Sequence, residues 1–175
     1  LSPSQSPFAG GLSDDTVPKS CAGCIAFGRG LAMIVSQSER DMRAQSIVES
    51  LELAASRCDD LAPLVYARLF AERPDLAPRF GENGRLVQGE MLARTIETIL
   101  DFVTGDAYAS NLVASEASAH ATYDVPPETF AGFFRVVAET LRNLLANDWT
   151  GEMDQAWREL VDDLSGLATA EGAAA

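Results

Sequence analysis

The chain has 175 residues, 47% of them hydrophobic, which is enough for one buried core and, by default, one domain. Its formal net charge of -13 and pI near 4.3 argue against a face that neutralises phosphates, so no nucleic acid and no membrane are expected as partners. There is no run of about 18 apolar residues that would span a bilayer, and three cysteines do not make a disulfide framework.

Residues 1 to 20 are rich in Ser, Pro, Gly and Asp, a composition that does not repay the entropy of ordering. The stretch CIAFGRGLAMIV, reaching from Cys21 to Val35 at its widest, is the best candidate for a signal peptide, but Arg29 and two glycines break its apolar core, and the protein is expected in the cytoplasm. Cys21 and Cys24 form a CxxC with no second pair and no second histidine to complete a zinc site, and they are read as incidental thiols. Residues 1–45 are taken as an N-terminal extension, flexible or in part helical, 46–170 as the folded domain and 171–175 as a flexible tail.

From Ser46 the pattern is helical almost without interruption. Ile47, Val48, Leu51 and Ala54 recur at helical spacing, and after Asp59 and Asp60 the period resumes through Leu61, Leu64, Val65, Tyr66, Leu69 and Phe70. Pro74 ends that run, PDLAPRF forms a short turn and GENG a loop. The next helix carries Val87, Met91, Leu92, Thr95, Ile96, Ile99 and Phe102 and closes at Gly105. Another runs from Leu112 to His120. Pro126-Pro127-Glu128 opens one more, because proline is tolerated in a first turn, and Thr150 is placed to cap the last. No run alternates with period two, so an all-α fold of six or seven helices and no sheet is expected.

His120 is the only histidine. By itself it either ends a helix, where the macrodipole favours partial positive charge, or serves a site that needs a single imidazole. Its surroundings decide between these. VYARLFAERPDLAPRF resembles the second and third helices of a globin, with Phe80 as the phenylalanine that stacks on haem. HATYDVPPETF is similar to the proximal histidine with its following turn, and NDWTGEMDQAWREL to the entry into the last globin helix. The three occur in the globin order across Ser46 to Ala168, and the single-domain bacterial haemoglobins are the members they resemble most.

The resemblance implies a three-over-three helical sandwich holding haem b, with His120 as the iron ligand and Phe80, Leu92, Val125 and Phe130 among the pocket walls. On the distal side it implies that Tyr66 and Gln88 donate hydrogen bonds to bound oxygen, which is partly negative and gains more from a donor than carbon monoxide does. Oxygen, carbon monoxide and nitric oxide are the implied small ligands. The expected function is reversible oxygen binding, extending to nitric oxide detoxification with an external reductase. Alternatives are a globin-fold sensor acting through a partner protein, and an enzyme, a nitric oxide dioxygenase or weak peroxidase. Two departures from the family bear on this. Glu116 stands where globins usually place a leucine, four residues before His120, and Phe130 stands where flavohaemoglobins carry the tyrosine of a proximal relay.

Overall fold

The computed structural model describes residues 22–170, with side-chain surroundings given from Gln37 onward. The chain divides into two units, residues 1–35 and 36–175. Of the first, the described part is the helical stretch 22–35. The Cys21–Cys24 pair lies outside the residues whose side chains are described, as does the expected tail.

Helix α1 spans Ala22–Arg57, α2 Ala62–Glu72, α3 Gly84–Thr104, α4 Ala109–Ala121, α5 Pro127–Leu145 and α6 Gly151–Ala170. Short 3-10 segments cover Pro74–Phe80 and Ala146–Asp148. No strand is present among the described residues, so the all-α expectation holds. No described helix is long and apolar enough to cross a membrane.

Local chemistry accounts for the breaks. Asp60 Oδ1 accepts the backbone N–H of Ala62 at 3.1 Å, an aspartate turn that starts α2 just ahead of Pro63. Pro127 occupies the first turn of α5, where its missing N–H costs nothing. Thr150 caps α6 as its sequence position implies, its Oγ1 accepting the Met153 N–H at 3.2 Å. The backbone N–H of Glu152 itself and, after it, the Thr150 hydroxyl hold the Glu152 carboxyl below its ordinary pKa.

The core of the second unit lies where α5 and α6 pack together, with α4 against α6 and α2 against α5. Val137, Leu141 and Leu145 of α5 meet Trp157, Leu160 and Leu164 of α6, all at or below 1% exposure. Trp157 is the largest fully buried side chain, and its indole N–H donates to Ser50 Oγ at 2.8 Å. Ser50 in turn donates to the Ile47 carbonyl at 2.7 Å, so the polar atom that Trp157 brings into the core is satisfied and α6 is tied to α1. Truncating such a residue to alanine typically costs about 3–5 kcal/mol.

Candidate functional site

A cavity of about 700 Å³ opens among α2, the Pro74–Phe80 segment, α3, α4 and the start of α5. Helix α2 contributes Tyr66 and Leu69, because positions three and four apart share a helical face. The 3-10 segment adds Leu76, Arg79 and Phe80, and α5 adds Thr129, Phe130, Phe133 and Phe134. Gly84 allows α3 to start close to this wall, since a Cβ there would stand 3.3 Å from that of Phe80.

His120 enters from α4. Its Nδ1 lies 2.7 Å from the Glu116 backbone carbonyl. A carbonyl only accepts, so Nδ1 carries the proton and donates, and the lone pair is left on Nε2. No hydrogen bond from another described residue falls on Nε2. The Glu116 carboxylate is 3.9 Å from Nδ1, beyond hydrogen-bonding range, and its side chain is 43% exposed. The Phe130 ring packs on the imidazole with centroids 4.9 Å apart.

The corner after α4 holds the histidine in place. The Val125 N–H donates to the His120 carbonyl at 3.1 Å and the Asp124 N–H to the Ala121 carbonyl at 3.1 Å. Asp124 adopts φ +58°, the left-handed conformation that this pattern of helix ending requires. Gly105 does the same after α3 at φ +86° without a Cβ penalty. The turn directs Val125 into the cavity wall beside His120. Arg79 donates to the Tyr123 carbonyl at 2.6 Å, linking the opposite segment to this corner, and Arg73 donates to Thr129 Oγ1 at 2.7 Å.

Tyr66 is 2% exposed and its ring contacts Phe70, Phe80 and Phe133 at centroid distances of 5.7, 5.2 and 5.5 Å. Among the described residues its Oη is the one fully buried side-chain polar atom with no hydrogen-bond partner. Burial pushes the phenol pKa well above its ordinary value, so the hydroxyl keeps its proton. The cavity's threonines are engaged elsewhere: Thr95 Oγ1 donates to the Met91 carbonyl and Thr98 Oγ1 to the Arg94 carbonyl, each at 2.8 Å. A buried donor without a partner costs about 1–3 kcal/mol. In a cavity wall, it is a group placed to meet a polar atom that arrives from outside.

Of the residues expected from the sequence, Tyr66, Phe80, His120, Val125 and Phe130 line this one cavity. Gln88 and Leu92 do not. Leu92 is 4% exposed and belongs to the core cluster, while Gln88 is half-buried with its Nε2 lying back along α3 towards Gly84. The α3 side chains that face the cavity are Val87, Met91, Arg94, Thr95 and Thr98. That stripe is one residue, about 100° of helix rotation, from the expected one. Apolar residues occur on both stripes, so periodicity does not separate them. Phe133 against Tyr66 and the left-handed Asp124 were also outside the sequence reading; an aspartate before Val-Pro-Pro was the available signal for the latter.

Among the described residues no cluster of three or more His, Cys, Asp or Glu side chains could hold a metal ion. A family model described as Globin matches residues 63–166, more than half of the chain. No curated protein matches it.

Proposed function

The chain belongs to the globin family, and from that membership we propose that it holds haem b in this cavity and binds oxygen reversibly. One observation carries the reading. The imidazole of His120, its Nδ1 proton committed to a carbonyl, lines the same cavity as the partnerless hydroxyl of Tyr66.

The residues present fit the cofactor. His120 offers an imidazole whose Nδ1 donates to the Glu116 carbonyl, the outer-shell arrangement an iron-holding histidine needs. Phe80, Val125 and Phe130 offer apolar wall for a flat macrocycle and keep water out. When bound, haem supplies an iron whose remaining coordination position is open to a diatomic gas. Tyr66, kept protonated by burial, donates to a ligand with partial negative charge, which favours oxygen over carbon monoxide. Phe130 presents a ring and no hydroxyl to the imidazole, which favours reversible binding over turnover of nitric oxide.

The test is the visible spectrum of the purified chain reconstituted with haem, oxidised, reduced, and reduced under carbon monoxide or oxygen. One haem per chain, a five-coordinate reduced state and a reversible oxygen spectrum are expected. Failure to retain haem, or a reduced state with two nitrogen ligands in a monomer, would refute the reading.

A further inference from the structure

The wall of the cavity carries one thioether. Met91 stands on the α3 stripe that faces it, half-buried, and no cysteine lines the same space. The other methionines lie elsewhere: Met42 on α1 is 58% exposed, Met153 of α6 is 1% exposed within the core, and Met33 has no described side chain. A hydroperoxide oxidises a thioether to a sulfoxide, which turns an apolar side chain into a polar one. Exposure by itself ranks these sulfurs with Met42 first, Met91 next and Met153 last.

Tyr66 adds what exposure leaves out. Its hydroxyl lines the same cavity and has no hydrogen-bond partner, Met91 Sδ included. A thioether sulfur is a weak acceptor, whereas a sulfoxide oxygen is a strong one. The hydroxyls of Thr95, Thr98 and Thr122 already donate to the carbonyls of Met91, Arg94 and Ala119, so Tyr66 is the buried donor left to serve a new acceptor here. While a peroxide oxygen moves to sulfur, negative charge builds on the two oxygens, and a fixed phenol O–H that meets them lowers the barrier.

We propose that Met91 is an oxidation site on the cavity wall, at which a hydroperoxide converts the thioether to a sulfoxide whose oxygen then accepts the Tyr66 hydroxyl. With hydrogen peroxide, the S–O bond forms as the O–O bond breaks. The sulfur gives up two electrons, the peroxide takes them, and the proton of the transferred oxygen passes to the other, which leaves as water. The buried donor of the cavity is then engaged and no longer free for an incoming ligand. Reduction of the sulfoxide releases it, so the change is reversible. The oxidation stands on the thioether and the phenol alone; its effect on oxygen rests on the haem reading above.

The full-length chain free of haem, treated with hydrogen peroxide and followed by peptide mass spectrometry, tests the site without iron. Met91 should gain one oxygen at least as fast as Met42 despite its lower exposure, and Met153 should stay unmodified, which reports a folded core. In Tyr66→Phe the Met91 rate should fall about fivefold, the scale of one net hydrogen bond, with Met42 unchanged as the internal control. Equal Met91 rates in wild type and Tyr66→Phe would overturn the proposal, as would a Met91 as unreactive as Met153. Oxidised wild type, freed of peroxide and then loaded with haem, should release oxygen faster than untreated protein, towards the Tyr66→Phe rate. Met91→Leu given the same treatment should release it at its own untreated rate. Unchanged oxygen release from oxidised wild type would overturn the engagement of Tyr66. A chain that takes up no haem before or after oxidation counts against the haem reading, and the oxidation rates then decide this proposal by themselves.

Discussion

The imidazole of His120 is fixed by the main chain of its own helix: Nδ1 donates to the Glu116 carbonyl at 2.7 Å, one turn back. A backbone carbonyl at that distance cannot be mutated away, so the tautomer belongs to the helix geometry and not to the Glu116 side chain. The carboxylate, 3.9 Å off, is a secondary influence at most.

Replacing His120 by alanine removes the single imidazole donor in the chain. Haem retention is expected to fall to a small fraction of wild type, and added imidazole is expected to restore part of the visible spectrum. An alanine variant with an unchanged spectrum would remove His120 from the site.

Tyr66→Phe has opposite consequences for the two states of the protein. In the haem-free chain it deletes a buried hydroxyl that has no partner, and urea unfolding should show a gain of about 1 kcal/mol. In the haem-loaded chain, oxygen should dissociate about 10- to 100-fold faster, the scale of about 1.5–3 kcal/mol lost with a hydrogen bond to a partly charged acceptor. Carbon monoxide dissociation should change much less. Gln88→Leu, off the cavity wall, should leave both rates near wild type; stopped-flow measurement of the four rates checks the pair.

Stability of the haem-free chain should depend on Tyr66 in strongly basic solution. Burial raises the folded-state pKa of the phenol, so this group's contribution is fully present below the unfolded-state value of about 10 and is lost as pH rises above it. Between about pH 10 and 11, wild type should lose up to about 1.4 kcal/mol per pH unit relative to Tyr66→Phe. Parallel pH profiles for the two proteins would contradict the burial of the phenol.

Asp124→Gly should stabilise the corner after α4. The residue sits at φ +58°, where a non-glycine side chain costs on the order of 1 kcal/mol, and glycine removes that cost. Thermal unfolding should shift upward by a few degrees, on the order expected for about 1 kcal/mol in a domain of this size. Asp124→Val, β-branched and ill-suited to this conformation, should shift it down.

Much of the architecture was legible before any coordinates. Proline at the start of α5, threonine before α6 and glycine after α3 act within a few residues of themselves, so their effects survive in the linear sequence. Tyr66, Phe80, His120, Val125 and Phe130, five positions that meet on one cavity, were legible through the resemblance to the globins and not through any local signal of their own. The α3 face was not legible in this way. Val87, Met91, Gln88 and Leu92 offer two adjacent stripes that a 3.6-residue period fits about equally, and the choice depends on how α3 packs against α2 and α4.

By itself the sequence determined an all-α chain with one imidazole, because helical period, breakers and composition are local properties. Only the tertiary structure decided which α3 residues face the cavity and that the Tyr66 hydroxyl has no partner. Those facts concern what stands within a few ångströms of a side chain across different helices, and distance in space is set by packing.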